Sequence, residues 1–238
     1  MPRPPRIEYP GALYHVTSRG NKKETIFKTD EDRLLFLNFL YTNTRSFDWV
    51  CHAYCLMDNH YHLLIETRNP NLSIGMRQLN GNYTRNYNTR HDTIGHLFQG
   101  RFKAFILEKE AYFLEVARYI VLNPVRAGMV IHPSEWDWSS YNATVTGSGA
   151  QQCLDSAFLL SLFSSNLSEA RRRYGCFIQD GIGHLSPFTQ VQHGVILGTS
   201  QFVTEMLGRI VSGREVSGSD LTPGHEVSGL NLTPIPRD

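Results

Sequence analysis

The chain has 238 residues, 41% of them apolar and 11% aromatic, with 23 basic and 22 acidic side chains for a net charge of +1. That is enough apolar surface for a core, which excludes a fully disordered chain, and no apolar run approaches the ~18 residues of a membrane span. The balance is uneven: residues 1–130 carry 17 basic and 12 acidic side chains, residues 131–238 carry 6 and 10, so the first half suits a polyanionic partner.

Pro2 to Pro10 reads as an extended basic lead-in, without the apolar region of a signal peptide, so the expected location is the cytoplasm. Ala12 to Ser18 alternates as a strand, and Gly20 to Lys23 is a basic loop. Thr29 or Asp30 caps a helix to about Thr44, with Leu34, Leu37, Phe39 and Leu40 as its apolar stripe. Trp49 to Met57 and His60 to Thr67 are strands around Asp58-Asn59, two residues that tolerate a left-handed backbone and read as a hairpin turn. A second helix is expected from Leu72 to Arg90, a fourth strand from Arg101 to Leu107, and a third helix from Glu110 to Asn123, stopped by Pro124. The order β-α-β-β-α-β-α predicts an α+β fold. Its first six elements match a ferredoxin-like antiparallel sheet with helices on one face.

After Gly128 the character changes. Trp136 to Tyr141 is an aromatic turn expected to pack on the first domain, and Gly147 to Gln152 reads as a linker. Helices are expected over 157–163, 168–179 and from Ser200 to Val211. From Ser212 an imperfect repeat rich in Gly, Ser, Thr and Pro cannot bury a core and reads as disordered. The expected division is therefore a catalytic domain over 1–145, a helical appendage over 146–211 and a tail over 212–238. Cys51, Cys55, Cys153 and Cys176 include no Cys-x-x-Cys pair and are read as reduced and mostly buried.

Two patterns carry chemistry. Strand side chains alternate faces, so His60 and His62 point the same way, roughly 6.6 Å apart along the strand, a separation at which two imidazoles can hold one divalent metal. A bare His-x-His fits two separately satisfied histidines equally well. The third helix places Phe113, Leu114, Ala117, Ile120 and Val121 on one side and Tyr112, Glu115, Tyr119 and Asn123 on the other. Tyr119 and Asn123 are i,i+4 neighbours, so a phenol and an amide project together.

Five ordered stretches add specificity: Pro10 to Gly20, Met57 to His62, Gly75 to Gly81, Gly95 to Arg101 and Arg118 to Gly128. Together they resemble the REP-associated tyrosine transposases, which belong with the single-tyrosine HUH transposases and nucleases. The match runs from about Ile7 to Tyr141. The resemblance implies metal-dependent cleavage and rejoining of single-stranded DNA at hairpin sequences through a 5′-phosphotyrosine. It implies Tyr119 as nucleophile, with His60, His62 and Asn123 holding Mg²⁺ or Mn²⁺; the ligand types alone equally allow Zn²⁺. Glu66 and Glu115 are candidate outer partners of that site. DNA contact is expected from Arg3, Arg6, Arg19, Lys22, Lys23, Arg77, Arg85, Arg101 and Lys103, with Tyr83 and Phe102 as rings on which bases could stack. The expected partner is single-stranded or hairpin DNA, with no membrane and no small-molecule substrate, and the protein acts as a monomer or homodimer. The C-terminal stretch Gly194 to Val203 resembles a degraded helical appendage of some relatives. Two alternatives stand beside this reading: a domesticated protein that binds hairpin DNA without transposing, and a zinc-dependent hydrolase that leaves Tyr119 and Asn123 unexplained.

Overall fold

The structure, a computed structural model, describes residues 6–149 and 151–215, and side chains as far as residue 210. Arg3 and residues 216–238, which hold nearly all of the repeat, lie outside the described residues, as does most of the tail expected to be disordered.

β1 (Ala12–Arg19) forms from the alternation read in the sequence. Ala12, Tyr14 and Val16 enter one apolar cluster, while Leu13 enters the other. α1 (Asp30–Phe47) starts at Thr29 with a reciprocal cap: the Thr29 hydroxyl accepts from the Asp32 amide, and the Asp32 carboxylate accepts from the Thr29 amide. Its buried stripe is Phe36, Leu37 and Leu40. Leu34, expected inside, is 49% exposed. The position facing inward one residue earlier is Arg33, whose guanidinium pairs with Asp58 at 2.6 Å and lies over the Phe27 and Trp138 rings. A long side chain with an apolar stem and a paired head fills that place.

β2 (Trp49–Met57) and β3 (His60–Thr67) form the expected hairpin around Asp58-Asn59. Neither turn residue takes a positive φ, so the left-handed turn anticipated from their type does not form. Tertiary hydrogen bonds hold the turn instead. The Asp58 carbonyl accepts from the Ile26 and Phe27 amides, the Asn59 carbonyl accepts from the Gly20 amide, and the Asn59 side-chain amide donates to the Lys23 carbonyl. A bulge between Cys51 and Ala53 resets the parity of β2, which puts Cys51 in one cluster and Ala53 in the other.

α2 (Leu72–His91) is followed by β4 (Lys103–Leu107), two residues shorter than expected, and α3 (Lys109–Val121). The helix expected to run to Asn123 breaks at Leu122 and restarts as α4 (Asn123–Arg126), with Pro124 in its first turn, where a missing amide costs no helical bond. Among the described residues four more α-helices follow: α5 (Tyr141–Thr146), α6 (Ala157–Ser161), α7 (Leu167–Asp180) and α8 (Ser200–Glu215). Between the last two lies β5 (Ile196–Leu197), inside the stretch read as a degraded helical appendage.

The five strands form one sheet in the order β2-β3-β1-β4-β5. The first four pair antiparallel with the ferredoxin-like order, and β5 adds a parallel edge strand. α1 and α2 cover one face, as expected, through Met76, Leu79 and Tyr83 against Tyr14, Leu56, Tyr61 and Leu63. α3 and the helices up to α7 cover the opposite face through Val116, Ile120, Leu160 and Tyr174 against Leu13, Cys55 and Leu64, while α8 joins the α1 and α2 side through Val203 and Met206. The aromatic turn packs on the first domain as predicted, by pairing with the outer edge of β2: Leu56 N donates to the Trp138 carbonyl, and Ser140 N to that of Tyr54. That shields an edge otherwise open to other chains. Cys51, Cys55 and Cys153 are buried, Cys176 is exposed, and all four are free thiols.

Candidate active site and metal centre

The antiparallel register builds the site. β1 lies between β3 and β4, so Thr17 sits opposite both His62 and Lys103, and Arg19 opposite His60. Paired residues share a face, and for the histidines that is the face covered by α3. There the His62 and Tyr119 rings meet edge-on with centroids 5.9 Å apart, and the His60 and His62 rings are 4.9 Å apart and nearly perpendicular. Asn123 follows Tyr119 by one turn. Its side-chain amide donates to the Tyr119 and Ile120 carbonyls at 2.9 and 3.3 Å, capping α3 and leaving Oδ1 as its acceptor. The structure therefore brings His60, His62 and Tyr119 together, with Asn123 one turn beyond Tyr119 at the end of α3.

The two imidazoles suit a cation. His62 is 6% exposed, and its Nε2 is buried without a hydrogen-bond partner among the described residues. Burial, reinforced by the neighbouring His15 and His60, holds its pKa well below the ordinary imidazole range, so it presents a lone pair. His60 Nδ1 lies 2.6 Å from Asn59 Oδ1. The Asn59 NH₂ is committed to the Lys23 carbonyl, so its oxygen must face His60, whose Nδ1 then carries the proton. Nε2 is left as the ligand nitrogen of His60 as well. Among the described residues no three His, Cys, Asp or Glu side chains gather as a complete donor set. A metal here would need the Asn123 amide oxygen or water beside the two imidazoles.

Three residues at the site were not singled out from the sequence. His15 Nε2 lies 2.8 Å from His62 Nδ1. Arg126 places its guanidinium 5.3 Å from the centre of the Tyr119 ring; it stands seven residues after Tyr119, a helical spacing that could have drawn attention to it. Phe188, in a short 3-10 turn over Pro187–Gln190, packs 5.0 Å from Tyr119 and 4.6 Å from His15, and Gln190 Oε1 accepts from the Tyr112 hydroxyl.

Of the two candidate outer carboxylates, Glu66 is set apart from the histidines along the strand. Glu66 stands four residues beyond His62, roughly 13 Å along the strand, where its carboxylate accepts from His52 and Lys109. Glu115 is paired with Arg118. The basic residues divide. Arg19 and Lys103 share the face of the histidines by register. Lys22 and Lys23 are exposed in the loop beside the hairpin turn, and Arg101 is exposed ahead of β4. Arg77 and Arg85 line a shallow groove with Ile74, Gln78 and Asn82 on α2, across the sheet from the histidines. Arg6 donates to the Phe102 carbonyl and lies over the Phe102 ring. The expected stacking rings are not available to bases: Tyr83 is fully buried with its hydroxyl on the Ile26 carbonyl, and Phe102 is 7% exposed. The helical spacing of Tyr83 with Met76 and Leu79 marked a core stripe rather than a platform.

Among the described residues no helix is long and apolar enough to cross a membrane. Residues 9–123 match the family model described as IS200-like transposase. That segment, which contains β1 to β4, the histidine pair, Tyr119 and Asn123, is similar to the IS200-like transposases, a likeness that supports transposase-type DNA processing. No curated protein matches the chain. One solved structure, of a REP-associated tyrosine transposase bound to a REP hairpin, superposes with a TM-score of 0.53 at 17% identity, covering 66% of this chain and 94% of that one. That likeness shows the shared fold.

Proposed function

We propose that this chain cuts and rejoins single-stranded DNA beside a hairpin, in the cytoplasm, through a covalent bond between Tyr119 and a 5′-phosphate. The observation that carries the reading is the Tyr119 ring 5.9 Å from the ring of His62, whose buried Nε2 has no hydrogen-bond partner among the described residues. The solved transposase of similar fold is bound to a REP hairpin, which supports a hairpin substrate here. His60, His62 and the Asn123 oxygen are the groups that would hold a divalent cation, Mg²⁺ or Mn²⁺. When bound, that cation neutralises charge on a non-bridging phosphate oxygen.

The chain's own residues do the rest. A phenol with a reference pKa near ~10 is a weak nucleophile at neutral pH. The Arg126 guanidinium beside its ring favours the phenolate. The Tyr119 oxygen bonds to phosphorus, the bond from phosphorus to the 3′ oxygen breaks, and that oxygen departs with the proton the phenol lost. Attack by a second 3′-hydroxyl on the phosphotyrosine reverses the exchange without ATP. Arg19 and Lys103, which share that face by register, would hold flanking phosphates.

The test is a denaturing gel of protein, Mn²⁺ and an end-labelled hairpin oligonucleotide with a single-stranded flank. Tyr119→Phe is expected to lose both cleavage and the denaturation-resistant adduct at unchanged DNA affinity. His60→Ala and His62→Ala are expected to lose cleavage while keeping most binding, which rests on phosphate contacts. Cleavage by Tyr119→Phe at the wild-type rate, with no adduct from either protein, would hand the reaction to water and leave a metal-dependent hydrolase.

A further inference from the structure

His15 touches the buried member of the histidine pair, and nothing in the chemistry above uses it. The His15 and His62 planes are 8° apart with centroids at 5.0 Å, while His15 Nε2 and His62 Nδ1 are 2.8 Å apart. Two rings lying face to face could not bring atoms that close. They meet edge to edge in nearly one plane, where ring lone pairs and N–H bonds lie, so the contact is an in-plane hydrogen bond. We propose that His15 is a positioning residue: its Nε2 accepts the His62 Nδ1 hydrogen, which fixes the His62 tautomer and aims the lone pair of Nε2 at a divalent cation. The proposal rests on the metal-centre reading above.

The hydrogen could sit on either nitrogen of the pair, and the two choices have opposite consequences. If His15 donated, His62 would carry its own hydrogen on Nε2, buried without a partner and directed into the site. His60 would meanwhile present a lone pair, because Asn59 has fixed its hydrogen on Nδ1. Two neighbouring imidazoles in opposite tautomers cannot share one cation. If His15 accepts, both rings present Nε2 together, and each is held from behind, His60 by Asn59 and His62 by His15. Apart from His62, the surroundings of His15 are rings, among them Tyr119, whose ring it meets edge-on with centroids 6.0 Å apart. The His15 ring is 2% exposed, packed against Phe105 and Phe188, and its Nδ1 has no hydrogen-bond partner among the described residues. An apolar side chain would pack there without stranding a nitrogen. The polar outer partner of a metal-binding histidine is what orients the ring and sets its basicity.

The experiment uses ¹⁵N-labelled full-length protein without metal, at mildly alkaline pH. A long-range ¹H–¹⁵N correlation reads the His62 tautomer, assigned by its loss in His62→Gln. Wild type is expected to show the Nδ1–H form. His15→Phe keeps the ring shape and removes the acceptor; it is expected to release His62 into the other tautomer and to weaken Mn²⁺ binding, measured by calorimetry, by about tenfold or more. His15→Gln restores an acceptor and should bring both readouts back towards wild type. An Nε2–H signal for His62 in the wild-type protein, or unchanged Mn²⁺ affinity in a folded His15→Phe, overturns the proposal. Should His15→Phe fail to fold, the wild-type tautomer alone decides. A wild type that binds no Mn²⁺ would instead sink the metal-centre reading, whatever the tautomer.

Discussion

Glu66 shows how a residue on the expected face can serve another purpose. Its carboxylate accepts from His52 Nε2 and from Lys109 Nζ at 2.8–2.9 Å, and those bonds, with the His52 bond the larger cause, push its pKa down to about 2 against partial burial. In the unfolded chain it titrates near its ordinary value, so below about 4.5 the unfolded state takes up a proton that the folded state refuses until about 2. Its contribution is thus present above pH 4.5 and lost as pH falls towards 2. Glu66→Gln is expected to lower stability at neutral pH by about 1–2 kcal/mol, with the gap to wild type closing across that acid window. Urea midpoints at several pH values measure it; a gap that stays constant down to pH 2 would place the effect in packing rather than in the charge. The contrast with His60 and His62 marks what one strand reveals about itself. Parity put all three residues on one face, and the short span between the histidines was enough to bring them together. Which partner Glu66 would find depended on the β2 bulge and on the start of α3. His15 is the same case: its bond to His62 crosses from β1 to β3 and follows from register, which no local pattern states.

At the scale of elements, α2 allows two opposed effects to be weighed. It contains Gly75 and Gly81, and helix propensity alone favours alanine at both by roughly 0.5–1 kcal/mol. At Gly81 an added methyl meets only the Arg85 Nη1 at 3.9 Å, an ordinary contact. At Gly75 it would lie 2.1 Å from the Trp49 ring, which is 5% exposed and fixed by its Nε1–H on Asn71 Oδ1. Overpacking of that kind costs about 1–3 kcal/mol, more than the propensity returns. Gly81→Ala is therefore expected to raise the thermal midpoint and Gly75→Ala to lower it, and a rise in both would mean that Trp49 moves aside freely. Most elements of this size were legible in the sequence, because alternation, the Thr29 cap and Pro124 are local signals. β5 was not: two residues have no period, and their strand character comes from Ile106 N donating to the Val195 carbonyl and Glu108 N to that of Leu197. Leu34 was misplaced for a related reason, since the sequence does not reveal that a buried arginine fills the core-facing position before it.

For the whole molecule the open matter is whether the segment after residue 145 is an appendage or part of the fold. Composition shifts there, which suggested a boundary. Yet the segment supplies Leu159, Leu160, Tyr174 and Ile178 to the α3 side of the sheet, and Ile196, Val203 and Met206 to the α1 and α2 side. A chain ending at Val191 isolates part of this, because it keeps Phe188 over Tyr119 and loses β5 and α8. It would forfeit four buried apolar side chains, Ile196, Leu197, Val203 and Met206. At ~1.5–3 kcal/mol each that is roughly the whole net stability of a domain, ~5–15 kcal/mol. It would also uncover the outer edge of β4 and free Glu108, whose carboxylate now accepts from the Thr199 amide and hydroxyl. An open edge invites pairing between copies. The shortened chain is thus expected to lose its cooperative urea transition in tryptophan fluorescence and to run as higher species on a sizing column, even with every proposed catalytic side chain present. A truncated protein that unfolds cooperatively at the wild-type midpoint, and still forms the Tyr119 adduct, would show that residues 12–191 fold and act without the fifth strand.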